Sequence, residues 1–315
     1  MSKPPKLLLI DGSNLCFREF FSKKNLSHKG KSVDVLFGTF KSLISYHKEW
    51  EDYFRVIAWE GGYARRLEES ELAKEKGIVP ESYKENRRKA AEERTDDELE
   101  SLFEQMDQLK EDAFPLTNIL QARVRGYEAD DVIYTYAKWA EKRGGEAIII
   151  SSDKDFFQCL SPNVKVYDAR TKEMWTEERF ELDFGFSPKL WVEVGAIEGE
   201  IGPSKDNIFG VDGWGIKTAV KYMSEHGSIE GIENALNALE PHIEGKTRKG
   251  HRKKREEVFI KSKERLRLAR SLKQMDIAPG VPKLRISHNT DEDALKKFFL
   301  QYGFASLLKE AWRLV

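Results

Sequence analysis

The sequence predicts an α/β fold built around a parallel central sheet. Three short apolar runs, none of them alternating, fit strands that are buried on both faces: residues 6–10, 55–59 and 147–150. Segments with helical spacing of apolar residues lie between these runs, from Val33 to Trp50 and from about Ala129 to Lys142. The order strand, helix, strand, helix, strand favours parallel strands joined by right-handed crossovers.

The composition describes a polar globular protein with a sizeable core. The chain has 315 residues, of which 40% are hydrophobic and 34% charged. No segment approaches the roughly 18 consecutive apolar residues of a membrane span, and the N-terminus lacks a signal-peptide layout. Cys16 and Cys159 lie beside apolar residues without zinc-ligand spacing, which favours reduced, buried thiols. We expect a cytoplasmic monomer without a membrane partner.

Acidic residues follow the predicted strands. Asp11, Glu60 and Asp153 each lie at or just past a strand end, and ligands of open α/β sheets bind at that edge. Further acids open the next helix or follow the third strand: Glu128, Asp130, Asp131 and Asp155. If the strand continues, Asp153 and Asp155 share a face. Acids at a helix start also complement the helix dipole. Carboxylates converging from several elements nevertheless favour a site for hard divalent cations.

A long excursion separates the second strand from the acidic helix start. Residues 67–112 hold 16 acids and 8 Lys/Arg, which is typical of solvated surface helices. Within it, Lys84, Arg87 and Arg88 have the spacing of one positive stripe on a helix. Such a stripe suits phosphate oxygens, and Tyr83 could stack on a base.

A glycine-rich segment precedes a further predicted helix. Gly210, Gly213 and Gly215 would let backbone amides approach a partner closely, although a plain turn between helices is the alternative. Residues 245–273 then carry 13 Lys/Arg and 3 acids, a local net charge of 13 − 3 = +10. A basic block in a nearly neutral chain favours nucleic acid over a merely solvated surface. Apolar residues from Glu292 onward predict a helix that packs back on the core.

The order of these motifs resembles the 5′ nuclease family, which includes flap endonucleases, bacteriophage 5′–3′ exonucleases and the nuclease domain of bacterial DNA polymerase I. The resemblance extends from Leu7 to about Gln274. It rests on matching blocks: Leu9-Ile10-Asp11-Gly12-Ser13-Asn14, Trp59-Glu60, Tyr83-Lys84 with Arg87, Glu128-Ala129-Asp130-Asp131, Ser152-Asp153-Lys154-Asp155, and Asp206 to Ala219, which is similar to a helix–three-turn–helix that grips duplex DNA.

The resemblance implies a PIN-like or resolvase-like core and a division into three parts. Residues 1–193 would form the catalytic core, with a helical arch at about 67–112. Residues 194–280 would form the helical DNA-binding region with its basic loop, and residues 281–315 would pack on the core. It also implies a freestanding, phage-type enzyme.

The resemblance further implies roles for individual residues. Asp11, Glu60, Glu128 and Asp130 would hold one Mg²⁺, and Asp131, Asp153, Asp155 and Asp206 would build a second metal position that Mn²⁺ could also fill. Lys84 would stabilise the scissile phosphate, with Arg87 beside it. DNA contacts would come from Tyr83, Arg88, Lys205, Gly210, Gly213, Gly215, Lys217, Thr218, Arg252, Lys253 and Lys254. Backbone carbonyls of Val211, Gly213 and Ile216 would hold K⁺.

The sequence departs from the family pattern at three positions. Glu60 stands where aspartate is usual, and Phe209 replaces a frequent proline. Pro203 occupies the place of a common acid, which makes Glu200 the nearest candidate ligand.

The predicted function is a structure-specific 5′ nuclease of replication or repair. It would hydrolyse DNA at 5′ flaps, ends or junctions, or RNA primers in RNA–DNA hybrids, by two-metal chemistry. Two alternatives remain: a DNA-binding protein that has lost catalysis, which would require missing acids, and an RNA-directed PIN-like nuclease. A phosphatase of the haloacid dehalogenase type would need aspartate at position 13, where the chain has Ser13.

Overall fold

The structure is a computed structural model, and it describes residues 3–22, 25–92, 97–202, 205–241, 250–285 and 290–315, with side chains outside 90–98. The chain divides into two compact units. The first, the sheet unit, comprises Met1–Gly62, Thr95–Thr176 and Asp276–Val315; the second, the helical unit, comprises Tyr63–Arg94 and Glu177–Met275. Among the described residues, no helix is long and apolar enough to cross a membrane.

The sheet unit contains a six-stranded sheet in the order β5-β4-β1-β6-β7-β8. Its strands are β1 (Lys6–Asp11), β4 (Phe54–Ala58), β5 (Leu120–Ala122), β6 (Glu146–Ile150), β7 (Val164–Asp168) and β8 (Glu173–Trp175), and a hairpin is formed by β2 (Ser27–His28) and β3 (Lys31–Ser32). All pairings in the sheet are parallel except that of β7 with β8. The predicted α/β fold with a mainly parallel sheet is confirmed.

Both faces of the central strands are buried, which explains their unbroken apolar sequences. Leu9 of β1 lies in register with Val56 of β4 and Ile149 of β6. Leu8 and Ile10 join the main apolar core. The helices of this unit are α1 (Gly12–Phe21), α2 (Asp34–Glu49), α5 (Asp97–Gln108), α6 (Ala129–Glu141) and α13 (Glu292–Gln301), with a terminal 3-10 helix, Ala305–Leu314.

The C-terminal segment belongs to the sheet unit. Leu295, Phe299 and Leu307 are buried in the same apolar core as residues of β1 and α2. Phe40 of α2 meets Phe299 edge-on, with ring centroids 4.9 Å apart. Cys16 and Cys159 are both buried free thiols, as predicted.

The helical unit comprises α3 (Ala64–Glu75), α4 (Glu85–Glu92), α7 (Glu177–Phe184), α8 (Trp191–Glu198), α9 (Ile216–His226), α10 (Ile229–Asn237), α11 (Lys254–Lys261) and α12 (Lys263–Lys273). Two buried or half-buried arginines of α3 tie it to the end of α12. Arg66 Nε donates to the Leu272 carbonyl at 2.9 Å, and Arg65 Nη1 donates to Ser271 Oγ at 2.8 Å.

The compact units divide the chain at other positions than the predicted parts. The predicted boundaries at residues 193 and 280 assigned the whole excursion 67–112 to the core. The structure instead groups residues 63–94 with 177–275, while α5 packs in the sheet unit. Local sequence patterns do not reveal which backbone carbonyls a distant side chain will bind. For this reason the whole excursion was assigned to the catalytic core.

Candidate active site

The acids of the sheet unit are held at strand ends by short hydrogen bonds. Asp11, at the end of β1, caps α1 by accepting from the Asn14 N–H at 2.9 Å. Its other oxygen lies 3.4 Å from Ser151 Oγ, just past β6. Ser151 Oγ in turn accepts from the Asp153 N–H at 3.2 Å. The ends of adjacent strands β1 and β6 are therefore linked through one serine hydroxyl.

A second link joins the end of β4 to the start of α6. Glu60 Oε2 accepts from the Ala129 N–H at 3.3 Å, between Glu128 and Asp130 in the chain. Asn14 Nδ2 also donates to Ser152 Oγ at 3.1 Å, beside Asp153. Sequence reasoning assigned no role to Asn14 or Ser151, although Asn14 and Ser152 both fall inside the quoted motif blocks. The small polar residues beside the acidic motifs were the sequence signal that could have predicted these hydrogen bonds.

The acids influence one another electrostatically. Burial raises the pKa of Asp11 to about 7, and the nearby charges of Glu60 and Asp153 act in the same direction. Burial also raises the pKa of Asp130 well above its usual value, with further contributions from Asp153, Asp11, Glu128 and Glu60. Five of the predicted ligands therefore share one electrostatic environment.

In the part of the chain that the structure describes, no three His, Cys, Asp or Glu side chains are arranged to hold a metal ion as they stand. The electrostatics nonetheless fit a divalent cation, since mutually repelling, partly desolvated carboxylates are stabilised by a cation among them. This fit makes the cluster the candidate metal centre of the sheet unit.

Asp131 and Asp155 differ from the predicted arrangement. Asp131 is buried: its Oδ2 accepts from the Glu128 N–H at 3.1 Å and its Oδ1 from the Asp276 N–H at 2.8 Å, so it caps α6. The chain after Asp153 does not stay extended. A 3-10 helix, Lys154–Cys159, begins there, and Asp153 Oδ1 accepts from the Asp155 N–H at 2.8 Å. The expected shared strand face is therefore wrong, because Asp153 acts as a helix cap.

The helical unit organises its basic residues around Asp206. Arg87 Nη2 lies 2.9 Å from Asp206 Oδ1, and Lys84 Nζ lies 3.9 Å from Oδ2. The hydroxyl of Tyr83 lies 3.2 Å from the same Oδ2. Lys84 Nζ also lies 5.1 Å from the centroid of the Tyr83 ring and 5.5 Å from that of Tyr63.

Two predictions for this cluster are wrong. Tyr83 is only 4% exposed, so it is a buried support and has no face for a base. Lys84 precedes α4 with a φ of +55°, so it does not share a helical stripe with Arg87 and Arg88. Arg88 instead donates from Nη2 to Ser82 Oγ at 3.1 Å. The i, i+3, i+4 spacing assumed a helix that starts only at Glu85.

Glu200, which the sequence offered as the nearest candidate ligand, forms ion pairs with two lysines. Its Oε2 lies 2.9 Å from Lys273 Nζ and its Oε1 lies 3.4 Å from Lys205 Nζ. Burial raises the pKa of Glu200, but these two lysines outweigh burial and lower it overall. Pro203 lies outside the described residues.

The glycine-rich segment leads into α9 as predicted, with Gly215 as its N-cap. A Cβ on Gly210 would lie 2.4 Å from the Ile197 oxygen and 2.5 Å from the Gly199 nitrogen, so this glycine approaches its own chain. Gly213 has a φ of +80°, and both Gly213 and Gly215 face open space. Lys217 is exposed and Thr218 half-buried in the first turn of α9. The Val211 carbonyl accepts from the Trp214 N–H at 3.0 Å.

The basic block is partly used within the unit. Arg252 Nε donates to Glu257 Oε1 at 2.7 Å, which makes this predicted DNA contact an internal ion pair. Lys253 and Lys254, at the start of α11, are exposed. The basic residues Lys246, Arg248 and Lys249 lie outside the described residues.

Comparison with known proteins identifies the family of the chain. The model of the 5′–3′ exonuclease N-terminal, resolvase-like domain matches residues 6–185, more than half of the chain. The chain therefore belongs to the 5′–3′ exonuclease family.

Two relatives show how far the similarity extends. The chain is 29% identical to a 5′–3′ exonuclease of Aquifex aeolicus, over 96% of this chain and 94% of that one. It is 31% identical to the thermostable DNA polymerase I of Thermus thermophilus, over 97% of this chain and 33% of the polymerase. It thus spans about a third of the polymerase relatives that it matches.

Solved structures match along the whole chain. The bacteriophage T5 5′-exonuclease, described with bound zinc, superposes with a TM-score of 0.67 at 22% identity, covering 98% of this chain and 99% of that one. The catalytic core of Rad2 in complex with DNA substrate gives a TM-score of 0.53 at 15% identity, covering 97% and 91%. At these identities the likeness shows a shared fold.

Proposed function

We propose that the chain is a divalent-metal-dependent 5′ nuclease that hydrolyses DNA at 5′ flaps, ends or junctions in replication or repair. The observation that carries the proposal is that Asp11, Glu60 and Asp153 lie at or just past the ends of three adjacent parallel strands, β1, β4 and β6. Burial, together with neighbouring carboxylates, raises the pKa of Asp11 and Asp130 there. A cluster of carboxylates destabilises the folded protein unless a cation lies among them, and hydrolysis of phosphodiesters commonly uses divalent cations held by such carboxylates. Membership of the 5′–3′ exonuclease family supports the same conclusion.

Asp11, Glu60, Glu128 and Asp130 would hold one Mg²⁺, and Asp153 with Asp155 would contribute to a second position, which Mn²⁺ could also occupy. When bound, the metal would supply a water of lowered pKa and charge neutralisation at the phosphate. Ser151 would keep Asp11 and Asp153 in register through its hydroxyl. The roles of Asp131, Asp206 and Glu200 as ligands stay predictions from the sequence.

Lys84 and Arg87 would supply positive charge to a phosphate. In the helical unit both lie against Asp206, which holds their charged groups within 4 Å of one carboxylate. A fixed cation stabilises the charge that develops on phosphate oxygens in the transition state without reorganising at the moment of reaction.

Duplex DNA would be bound through its backbone by the start of α9 and the start of α11. Gly213, Gly215 and Lys217 present an exposed turn and helix N-terminus, and Lys253 and Lys254 present exposed ammonium groups. Phosphate contacts of this kind position a duplex without reading its sequence. The carbonyls of Val211, Gly213 and Ile216 would hold K⁺ there, and exchanging KCl for LiCl at constant ionic strength tests this by its effect on duplex affinity.

The test uses three 3′-labelled substrates, a 5′-flap duplex, a blunt duplex and an RNA–DNA hybrid, with Mg²⁺ or EDTA. Metal-dependent cleavage at or near the flap junction is the expected result, and the product ladder ranks exonuclease against flap cutting. Tight binding without cleavage in either Mg²⁺ or Mn²⁺ would support an inactive DNA-binding protein instead. Cleavage confined to the hybrid would favour RNA-primer removal.

Metal binding is measured separately from activity. Mg²⁺ should raise the unfolding temperature of the wild type, because a ligand at 100 times its Kd adds about 2.7 kcal/mol to the free energy of unfolding. The Asp11→Asn, Asp130→Asn double variant should show a much smaller rise. Equal rises in the two proteins would remove these acids from the metal site.

A further inference from the structure

The helical unit contains a buried asparagine that the proposed chemistry does not use. Asn207 is 2% exposed and follows Asp206 directly. Its side-chain amide accepts from Asn86 Nδ2 at 2.7 Å and donates to Glu81 Oε2 at 3.2 Å and to the Ser82 carbonyl at 3.4 Å. One side chain thus joins the segment 206–208 to three residues within 81–86.

The clamped segment 81–86 contains Lys84. The Lys84 N–H donates to the Asp206 carbonyl at 3.0 Å, next to the asparagine that makes the side-chain bonds. The Tyr83 hydroxyl reaches Asp206 Oδ2 from the same segment. The two segments are therefore joined by the backbone bond, the tyrosine and the Asn207 amide.

Backbone conformation shows why such a clamp is needed. Lys84 has a φ of +55° and Asn207 a φ of +58°. The left-handed region is uncommon for residues other than glycine, and it is tolerated better by asparagine than by lysine. A lysine persists there only when its surroundings over-determine the conformation. Asn207 supplies three of the hydrogen bonds that do so.

We infer that Asn207 is a positioning residue for Lys84: its amide holds the 81–86 segment so that the Lys84 ammonium lies over the rings of Tyr63 and Tyr83 beside Asp206. The inference rests on the proposed function for its effect on turnover, but the position of Lys84 is measurable without cleavage. Asn207 touches neither metal nor substrate in this role.

The test compares Asn207→Gly, Asn207→Ala and Asn163→Ala. Glycine keeps the left-handed backbone and removes only the side-chain bonds, so it stays informative if the alanine variant fails to fold. Asn163 is the matched control, because it is a half-buried asparagine of the sheet unit that donates to the Gly145 carbonyl at 3.0 Å. We expect Asn207→Gly to lower kcat about 10- to 100-fold with little change in KM, as small misplacements of charged groups do. Asn163→Ala should leave kcat unchanged.

A double variant separates positioning from a general loss of structure. If Asn207 acts through Lys84, adding Asn207→Gly to Lys84→Ala should lower kcat by less than about 2-fold further, because coupled residues are not additive. Equal effects in both backgrounds would overturn the inference while leaving the proposed function intact. Absence of cleavage by the wild type would instead contradict the proposed function.

The position of Lys84 is read by NMR of protein with reductively ¹³C-methylated lysines, a modification that retains their charge. The Lys84 signal, assigned by its loss in Lys84→Ala, should be shifted by the two tyrosine rings, whose centroids lie 5.1 and 5.5 Å from Nζ. In Asn207→Gly it should move to the position of exposed lysines. An unchanged signal would overturn the inference, whatever the substrates show.

Discussion

In the sheet unit the pKa values of Asp11 and Asp130 are raised, whereas in the helical unit those of Glu85 and Glu200 are lowered. Burial is the largest cause of the two raised pKa values, and the charge of the neighbours decides whether burial is reinforced, as at Asp11 and Asp130, or outweighed, as at Glu200. Asp11 and Asp130 are surrounded by other carboxylates, while Glu85 receives hydrogen bonds from Lys74, from the Ser82 N–H and from Lys89, and Glu200 from Lys273. Acids that already have protein cations gain little from a metal ion, and acids that repel one another gain most. We therefore expect metal to bind in the sheet unit.

The largest expected effect tests this contrast directly. Asp130→Asn should lower metal-dependent cleavage about 1,000-fold or more, because lost metal stabilisation is worth several kcal/mol. In EDTA at neutral pH the same variant should be more stable than the wild type, since asparagine lacks the charge that desolvation and the neighbouring carboxylates oppose. Single-turnover cleavage and chemical denaturation measure the two effects.

Glu200→Gln is the matched control for that experiment. It breaks the ion pairs with Lys273 and Lys205, so it should destabilise the helical unit by about 1 kcal/mol while cleavage stays within a few-fold of wild type. If Glu200→Gln greatly lowered cleavage and higher Mg²⁺ restored it, Glu200 would be a metal ligand, and metal binding would not be confined to the sheet unit.

The next effect concerns the cations themselves. Lys84→Ala should lower single-turnover cleavage about 100- to 1,000-fold, since one fixed charge near the reacting phosphate is worth that much. DNA affinity, measured by fluorescence anisotropy in Ca²⁺, should change much less. Turnover equal to that of the wild type would remove Lys84 from the mechanism.

A smaller effect separates basic residues with exposed charged groups from Arg252, whose side chain is largely buried in its ion pair. The Lys253→Ala, Lys254→Ala double variant should weaken duplex binding and reduce the slope of log K against log salt by about 2, one unit for each phosphate contact. Arg252→Ala should instead reduce stability, because Arg252 donates to Glu257. If Arg252→Ala changed the salt slope and the lysine variant did not, the assignment of these surfaces would be reversed.

The smallest expected effect is that of Tyr83→Phe. It removes the hydroxyl that lies 3.2 Å from Asp206 Oδ2 and should cost about 1 kcal/mol of stability. Single-stranded DNA affinity should be unchanged, because the ring is buried. Phenylalanine keeps the ring, so the base-stacking role that the sequence suggested is tested by Tyr83→Leu, and a marked loss of single-stranded DNA affinity in that variant would restore it.

The sequence was sufficient for the parts of the fold that repeat locally. The strands β1, β4 and β6 and the helices α2 and α6 lie within one or two residues of their predicted ranges, because apolar periodicity and turn residues mark them. β5 was missed, since its three residues are too few to form a pattern. Asp11, Glu60 and Asp153 were found because strand order alone brings their positions to one edge.

The parts that failed depend on contacts distant in the chain. Tyr83 and Lys84 look like the start of a basic helix. In the structure the Tyr83 N–H donates to Ser70 Oγ and the Tyr83 ring is buried. The Lys84 N–H donates to the Asp206 carbonyl, and Lys84 has a positive φ. The contact of Asp131 Oδ1 with the N–H of Asp276, which lies 145 residues away, was likewise not visible in the sequence, although the ligand role of Asp131 stays a prediction. Local spacing cannot reveal such partners.

The tight approach between Gly199 and Gly210 has a consequence for any comprehensive mutational scan of this chain. Side chains at Gly210 should be rejected even in a selection for soluble expression alone, because a Cβ would meet backbone atoms within 2.5 Å. Intolerance at that codon would therefore carry no information about DNA. Gly215 has an ordinary φ and open space around its missing Cβ. Alanine there should fold normally, so depletion of Gly215→Ala under selection for cleavage would map the DNA surface itself.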